Sequence, residues 1–427
     1  MDRKNFLKAG ALLASTALYS NLNASIFNDK KIRVGLIGVN GMGWSNLQAM
    51  LKLKEVECTA LCDVDNNVLE KRKSELAAKN IQVKTYHDHT KMLSDNIVDA
   101  VIIGTPDHWH CIQFVDAIKA GKHVYVEKPI GNSIVECQTM LAAAQKSNCI
   151  VQVGQWQRSQ QHFQDAMDYV HSGKLGKIRL AKAWSYVGWK KPIIIQPDSP
   201  VPNGVDYERW LGPAPKRNFN INRFHFEFRW FWDYAGGLMT DWGVHLLDFA
   251  LLGMKAEFPK SIVASGGLYA DPNTAAETPD TMTAMYEFGD FNIQWEQALG
   301  IASGIYGRDH GVAFIGNNGT LVVNRGGWEV IPDDKRVEAV PLQKPKDNGL
   351  ERHMENFVQG ILRKDKSNLH APIEVGSHVA VISQMGNIAY RVGKKIYWDK
   401  AKGRFTDEDA NTYLAAKYHN GFSIPKV

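Results

Sequence analysis

Dense runs of basic residues are missing from this sequence. Its 50 Lys and Arg and 45 Asp and Glu leave a net charge of +5 over 427 residues. Nucleic acids and anionic membranes attract proteins through concentrated positive charge, so neither is an expected partner. Beyond the N-terminus, no apolar run approaches the roughly 18 residues that a membrane-spanning helix needs. The sequence therefore predicts no membrane contact apart from its N-terminal segment.

Cysteine is scarce as well, and its pattern excludes two further classes of protein. The five cysteines all fall within the first 150 residues, at Cys58, Cys62, Cys111, Cys137 and Cys149. An odd number argues against a disulfide framework, and no CxxC or Cys/His spacing suits a metal ion. We predict that these cysteines are buried and reduced, and we expect no metal site.

The N-terminus differs from the rest of the chain. Charged residues at 3–8 precede an apolar stretch at 9–19, which is the order of an export signal. The pattern is similar to a twin-arginine signal, with Lys4 where the second arginine is usual. Sec export, a lipid anchor and an ordinary N-terminal helix are the alternatives, although no cysteine lies nearby to carry a lipid. We predict that residues 1–28 are an export signal and linker. The protein is then periplasmic, or cytoplasmic if the signal does not function.

The length favours two domains, and the first has a dinucleotide-binding pattern. An apolar run at 32–37 is followed by a glycine turn and a helical stretch. This is the context that a dinucleotide fingerprint requires, because the turn lets the pyrophosphate approach the helix N-terminus. The match is imperfect, since an asparagine stands at the middle glycine position and one glycine is extra. The predicted cofactor contacts in the turn are Gly38, Asn40, Gly41, Met42 and Gly43.

A carboxylate follows the next predicted strand. Asp63 comes after the apolar run at 56–61, twenty positions beyond Gly43. In dinucleotide-binding domains such a carboxylate accepts the ribose hydroxyls and repels a 2′-phosphate. NAD is therefore the expected cofactor, in preference to NADP. The alternative is that Asp63 caps a helix or stabilises a turn, because 63–67 is rich in capping residues.

Two more motifs follow strands of this half. Apolar runs at 100–104 and 123–126 lead into Thr105-Pro106, with His110 close behind, and into Glu127-Lys128-Pro129. Ligands bind at the carboxyl ends of parallel strands, so these residues are further predicted cofactor contacts. A last short strand ends at Val153, which places the NAD-binding Rossmann domain at 29–153.

Residues 154–427 have a different pattern. Long segments with alternating apolar residues occur at 177–186, 261–268, 280–288 and 291–299, and helical patterns occur at 352–362 and 373–392. Together they predict an α+β domain with an open, mostly antiparallel sheet. We expect this domain to bind substrate and to form the oligomer contacts. The last thirty residues have no strong pattern.

A carboxylate and an imidazole stand four positions apart in this second half. Asp241 and His245 follow Gly236-Gly237, and that spacing on a helix puts both on one face. Aromatic residues crowd the region before them, and aromatic rings suit the apolar faces of sugars. The alternative for each ring is core packing. The predicted substrate contacts are Trp156, Arg158, Tyr186, Trp230, Trp232 and Asp233.

These motifs together resemble the glucose–fructose oxidoreductase / inositol dehydrogenase / MocA (Gfo/Idh/MocA) family over nearly the full length. The export signal and the aromatic segment are similar to secreted members. The resemblance implies that Lys128, Asp241 and His245 surround the nicotinamide and the reacting carbinol. Lys128 would stabilise an alkoxide, His245 would take the proton, and Asp241 would orient a hydroxyl or the imidazole. It also implies a cis Pro129 and a homodimer or homotetramer.

Three functions follow. The first is an NAD-dependent oxidoreductase that acts on a secondary hydroxyl of a sugar, glycoside or cyclitol, with a tightly held cofactor. The second is a redox-assisted, NAD-dependent glycoside hydrolase or lyase that works through a transient 3-keto sugar. The third, a sugar-binding or assembly protein with a vestigial site, is disfavoured because the catalytic set is intact.

Overall fold

The computed structural model describes residues 31–427, so the predicted export signal lies outside the described residues. The first unit contains a six-stranded parallel sheet in the order β3-β2-β1-β4-β5-β6. Its strands are β1 (Ile32–Ile37), β2 (Val56–Cys62), β3 (Lys84–Tyr86), β4 (Ala100–Ile103), β5 (His123–Val126) and β6 (Val151–Val153). The central strand β4 is apolar and buried along its whole length, because helices cover both faces of the sheet.

Helices alternate with these strands, as a parallel sheet requires. They are α1 (Gly41–Met50), α2 (Asn66–Ala77), α3 (His89–Ser94), α4 (Asp107–Lys119) and α5 (Ile134–Gln145). The order of the strands reverses at β1, which pairs with β2 on one side and β4 on the other. A crevice forms at such a switch point, beyond the carboxyl ends of the strands.

The second unit is built on a ten-stranded sheet in the order β14-β13-β12-β11-β7-β10-β9-β8-β15-β16. The strands are β7 (Ile178–Val187), β8 (Ser261–Gly267), β9 (Thr281–Glu287), β10 (Asn292–Leu299), β11 (His310–Gly316), β12 (Gly319–Asn324), β13 (Gly327–Pro332), β14 (Val340–Gln343), β15 (Ile396–Asp399) and β16 (Arg404–Phe405). All the pairs are antiparallel except β7 with β10, which run parallel. The predicted α/β plus α+β fold class, with its open and mostly antiparallel second sheet, is confirmed.

Helices of the second unit pack on this sheet and against the first unit. They are α6 (Gln161–His171), α7 (Tyr207–Leu211), α8 (Gly237–Asp241), α9 (Gly243–Met254), α10 (Gly349–Arg363), α11 (Ile373–Val392) and α12 (Glu408–Asn411). Short 3-10 turns occupy Trp156–Ser159, Ile221–Arg223, His225–Trp230 and Ile305–Gly307. In residues 31–427, no helix is both long enough and apolar enough to cross a membrane.

The C-terminal segment, which has no strong sequence pattern, is ordered by long-range contacts. Strand β15 extends the sheet by pairing with β8. Further along, the Tyr418 hydroxyl donates to Glu136 on α5 at 2.6 Å, and the amide of Val135 donates to the Leu414 carbonyl at 2.9 Å. The tail therefore packs against the dinucleotide-binding half. All five cysteines are buried and free, as predicted.

Candidate active site

A cavity of about 860 Å³ opens at the carboxyl ends of the parallel strands. Both units line it. Of the predicted cofactor and catalytic residues, it is lined by Gly38, Asn40, Gly41, Met42, Asp63, Thr105, Pro106, His110, Glu127, Lys128, Asp241 and His245. The cavity has the size expected of a small-molecule site.

The glycine turn has space that only glycine can leave open. A Cβ on Gly38, which has a φ of +82°, would lie 2.7 Å from the carbonyl carbon of Gly104. Gly43 does not itself line the cavity. A Cβ on Gly43 would lie 2.3 Å from the Gly38 carbonyl oxygen, so only glycine allows α1 to pack this closely against the turn. This close packing brings bare backbone and the start of α1 to the cavity. The cradle fits the pyrophosphate of a dinucleotide.

The backbone of Asn40 does not take the left-handed conformation that glycine often adopts in such turns. It is the N-cap residue of α1, with extended backbone at φ −106° and ψ 172°. The neighbouring Gly41 takes the left-handed conformation, with φ +48°. The additional glycine therefore supplies the turn, and the side chain of Asn40 is free to accept from Arg72 at 3.3 Å.

Asp63 does not cap a helix. One carboxylate oxygen accepts the amide of Val39 at 2.8 Å and the other accepts the amide of Asp65 at 3.0 Å. Burial raises the pKa of Asp63, and these two N–H groups oppose that rise. The N-cap of α2 is instead Asp65, which also contacts His225 at 3.0 Å. Asp63 thus lies beside the glycine turn with its carboxylate at the cavity wall.

Two buried residues brace the loop that carries Lys128. The Glu127 carboxylate accepts from Asn46 on α1 at 2.7 Å. His110 lies between two backbone carbonyls, with Nδ1 2.8 Å from Pro129 O and Nε2 2.8 Å from Thr105 O. These contacts join the loops after β4 and β5. The peptide bond between Lys128 and Pro129 is cis, as expected.

The lysine and the aspartate form an ion pair across the two units. Lys128 Nζ donates to Asp241 Oδ1 at 2.7 Å and to the Asp241 carbonyl oxygen at 2.9 Å. Arg229 Nε donates to the same carboxylate oxygen at 3.3 Å. Burial alone would raise the pKa of Asp241, but the two cations hold it well below its usual range. Asp241 is therefore an ionised carboxylate that positions Lys128.

His245 stands near this pair with an open ring nitrogen. It is buried, and its Nδ1 has no hydrogen-bond partner within residues 31–427. Burial lowers its pKa well below the ordinary value, and the nearby Lys128 and Arg325 lower it further. The imidazole is neutral at pH 7 and able to accept a proton. Asp241 and His245 lie on two successive helices, α8 and α9, and not on one.

Several charged residues of the cavity were not identified from the sequence, and three of them lie near Lys128, Asp241 and His245. Asp107 begins α4 and is buried, and burial raises its pKa to about 8. Arg229 lies within an aromatic segment, and Arg325 lies in the turn between β12 and β13. Asp107 follows directly on the Thr105-Pro106 motif, which could have indicated it. The two arginines have no such local signal, because the tertiary fold alone brings them to the cavity.

Most of the predicted substrate residues lie outside the cavity lining. Trp156 does line it. Arg158 forms a bidentate ion pair with Asp248 on α9, both contacts at 2.7 Å, and the Tyr186 hydroxyl donates to Glu296 on the neighbouring strand. Internal partners thus hold both of these side chains.

The aromatic segment after Arg229 also packs inward. Lys190 Nζ lies over the Trp230 ring at 5.5 Å. The indole N–H of Trp232 donates to the Glu277 carbonyl at 3.1 Å, and Asp233 pairs with Arg217 at 2.8 Å. The structure therefore places Trp230, Trp232 and Asp233 outside the cavity lining, where each contacts a residue from another segment of the second unit. The rings that line it belong to Trp109, Trp156, Trp189, Trp210, Phe224, Phe226, Phe228 and Trp242.

Within residues 31–427, no group of three or more His, Cys, Asp or Glu side chains could hold a metal ion.

Two family models match the chain almost end to end. The model described as the oxidoreductase family, NAD-binding Rossmann fold, matches residues 32–155. The model described as the oxidoreductase family, C-terminal alpha/beta domain, matches residues 164–424. The chain belongs to the Gfo/Idh/MocA oxidoreductase family. The predicted dinucleotide site thus lies within the NAD-binding domain of this family.

Two curated relatives differ in how far they match this oxidoreductase. The "Uncharacterized oxidoreductase YrbE" of Bacillus subtilis is 25% identical over 334 residues, which is 78% of this chain and 85% of that protein. A "Glycosyl hydrolase family 109 protein" of Shewanella sp. is 27% identical over 178 residues, which is 35% of this chain and 39% of that protein. The second match thus spans well under half of either protein.

Solved structures share the fold. The aldose-aldose oxidoreductase of Caulobacter crescentus, complexed with glycerol, has a TM-score of 0.66 at 18% identity and covers 86% of this chain and 100% of that one. A levoglucosan dehydrogenase complexed with NADH has a TM-score of 0.65 at 17% identity and covers 86% and 98%. At these identities the likeness concerns the fold.

The position of Asp63 generates a first prediction. Replacing Asp63 by Asn keeps the shape of the side chain and removes the charge that would face a 2′-phosphate. We expect NAD to bind about 10-fold more weakly and the discrimination against NADP to fall by at least as much. Titration of the protein with NADH and NADPH, followed by fluorescence, measures both. Asp65→Asn is the matched control, because asparagine also serves as an N-cap. If the preference changes in Asp65→Asn alone, Asp65 is the ribose acceptor.

Proposed function

We propose that this protein is an NAD-dependent oxidoreductase that acts on a secondary hydroxyl of a sugar, glycoside or cyclitol. One observation carries the proposal. A lysine, an ionised aspartate and a neutral histidine line one cavity together with a glycine turn suited to a dinucleotide. A metal-free alcohol oxidation needs these groups, namely a proton acceptor and a cation beside the oxygen.

Three residues of the chain have separate roles in this reaction. His245 is neutral, so it accepts the hydroxyl proton of the substrate. Binding of that hydroxyl near Lys128 makes its proton more acidic. The ammonium of Lys128 stabilises the negative charge that develops on that oxygen. Asp241 fixes the direction of Lys128 through two contacts, at 2.7 and 2.9 Å. Bound NAD⁺ supplies the acceptor for the hydride from the carbinol carbon.

Asp63 supports a preference for NAD over NADP. Its carboxylate is placed beside the glycine turn by two backbone amides, 2.8 and 3.0 Å away. A second phosphate on the ribose would meet this carboxylate, and like charges in a buried site repel strongly.

The proposal includes export of the protein and tight binding of its cofactor. The N-terminal sequence supports export to the periplasm by a twin-arginine-like route, as in secreted members of the family. Five buried, reduced cysteines suit a protein that folds before export. Because free NAD is scarce outside the cytoplasm, such a protein would retain its cofactor and regenerate it within the same site. We further propose a homodimer or homotetramer formed through the second unit.

The local similarity to glycosyl hydrolase family 109 proteins favours a second candidate. Oxidation of the C3 hydroxyl of a glycoside makes the hydrogen on C2 acidic. Loss of that proton expels the aglycone from C1, after which water adds and C3 is reduced again. The same three residues suffice for the redox steps, and the net reaction is hydrolysis with no net change in the cofactor.

A product analysis tests the proposed function and separates it from the second candidate. We expect the purified protein to carry NAD(H), detectable by mass spectrometry after denaturation. Incubation with a panel of sugars and chromogenic glycosides should give a keto sugar and NADH in equal amounts. Release of many aglycones per bound NAD, with solvent deuterium at C2, would instead establish the glycosidase. Neither product across the panel would contradict both.

Removal of the lysine gives the second test of the site. Lys128→Ala should lower the turnover rate by about 10²-fold or more, because it removes the cation beside the alkoxide. NADH should still bind, since the lysine does not hold the phosphates of the cofactor. Steady-state kinetics and a fluorescence titration measure the two effects. Lys177→Ala, an exposed lysine on the second unit, is the matched control, and near-normal turnover in Lys128→Ala would refute the role.

The histidine makes a prediction about pH. Because its pKa lies well below the ordinary value, His245 is protonated only in acid, where it cannot accept a proton. The single-turnover rate of NADH formation should therefore rise with pH only in the acid range and stay flat through neutrality. His245→Asn should lose activity at every pH while keeping its melting temperature. His171→Asn, an exposed histidine on α6, is the matched control. A wild-type profile in His245→Asn would assign the base to another group.

A further inference from the structure

Arg325 lies in the turn between β12 and β13, on the substrate side of the cavity. It lines the same space as Lys128, Asp241 and His245. The turn is held in place, because Asn324 Oδ1 accepts the Gly326 amide at 2.9 Å and its backbone carbonyl contacts His162 at 2.9 Å. Arg325 is therefore presented to the cavity by a fixed hairpin of the second sheet.

Within residues 31–427, the guanidinium of Arg325 forms no ion pair, although the charges of Asp241 and Asp309 act on it. Its Cζ lies over the Trp242 ring at 4.5 Å and over the Trp156 ring at 5.1 Å. Its Nε is buried without a hydrogen-bond partner, and no ion pair of this residue is present within residues 31–427. By contrast, Arg229 and Arg158 each pair with a carboxylate. A buried charge without a partner is costly.

The charges around the reacting position leave an excess of positive charge. Lys128 and Arg229 share the single carboxylate of Asp241. Arg325 adds a third cation. Burial raises the pKa of two other nearby carboxyl groups, that of Asp107 to about 8 and that of Glu127. Arg325 is close enough to Asp241 and Asp309 for their charges to raise its pKa, but within residues 31–427 it forms an ion pair with neither, and Asp309 contacts His310 instead. An anion seated against the Arg325 guanidinium would therefore complete the local balance.

We propose that Arg325 binds a carboxylate of the substrate, so that the protein acts on a sugar acid such as a hexuronate or its glycoside. This deepens the proposed function and rests on it. The sugar ring would lie with its acid group at Arg325 and a secondary hydroxyl at Lys128 and His245. Rings of Trp156 and Trp242 stand beside the guanidinium and offer apolar faces to the sugar.

A carboxylate fits this position better than a phosphate. One planar guanidinium binds a planar, singly charged carboxylate through two parallel N–H bonds. A phosphate dianion in a buried site calls for more than one free cation, and Lys128 and Arg229 are already engaged by Asp241. The cofactor phosphates have their own cradle at Gly38 and Gly43, and Arg325 contacts neither of these residues.

Binding measurements on the NAD-loaded protein test the proposal. Three acids, D-glucuronate, D-galacturonate and D-mannuronate, are compared by calorimetry with glucose, galactose and mannose. We expect at least one acid to bind about 10- to 100-fold more tightly than its neutral partner, the range for a hydrogen bond to a charged group. Arg325→Gln should abolish that difference and leave the neutral sugar and NAD affinities unchanged. Arg325→Lys, which keeps the charge and loses the fork, should restore part of it.

Arg336→Gln is the matched control, because Arg336 is exposed on the same sheet and lies outside the cavity. Equal affinities for acids and neutral sugars in the wild type would overturn the proposal. So would a weaker NAD affinity in Arg325→Gln, or a preference for glucose 6-phosphate over every acid. Binding of an acid through Arg325 without any keto sugar, NADH or released aglycone would keep the carboxylate subsite and refute the proposed function.

Discussion

The ion pair between Lys128 and Asp241 joins the two halves of this protein at the place where they meet. The lysine ends a strand of the parallel sheet, and the aspartate ends a short helix of the second unit. Both side chains are largely removed from water, at 12% and 19% exposure. Removing one partner from such a pair typically costs roughly 3–5 kcal/mol, because the other is left buried and charged. The position of the Lys128 ammonium therefore depends on this contact, which adds to the other contacts between the two units, such as that of Tyr418 with Glu136.

That ion pair also sets the protonation of its neighbours. The charge of Lys128 lowers the pKa of His245 and, together with Arg229, that of Asp241. Burial acts in the opposite sense on the carboxyl groups and keeps Asp107 largely protonated at neutral pH. The site thus contains a neutral base, a neutral acid and a fixed carboxylate within one cavity. Groups whose environments separate their pKa values in this way are typical of sites that move protons.

The residues suited to the cofactor come from the unit with the parallel sheet, and the residues proposed to contact the substrate come from the second unit. Bare backbone at the glycine turn and the carboxylate of Asp63 come from the parallel sheet, and both recognise parts common to every NAD molecule. Arg325 and Trp242 come from the second unit, where hairpins and helix ends can change without disturbing the dinucleotide cradle. The proposed substrate contacts therefore come from the turn between β12 and β13 and from the aromatic rings around it, more than from the Rossmann half.

The resemblance to the family brought Lys128, Asp241 and His245 together as a set. The sequence by itself determined the alternation of strands and helices, the glycine turn and Asp63. These are local patterns, because the period of apolar residues and the residues after a strand depend on the nearest neighbours in the chain. The tertiary structure alone decided which aromatic and charged residues reach the cavity. Nothing in the sequence distinguishes Trp230 and Trp232 from the tryptophans that line the cavity, yet they pack against Lys190 and Glu277. Arg229 and Arg325 reach the cavity from an aromatic segment and a hairpin turn, because pairing between strands distant in sequence fixes where those segments lie.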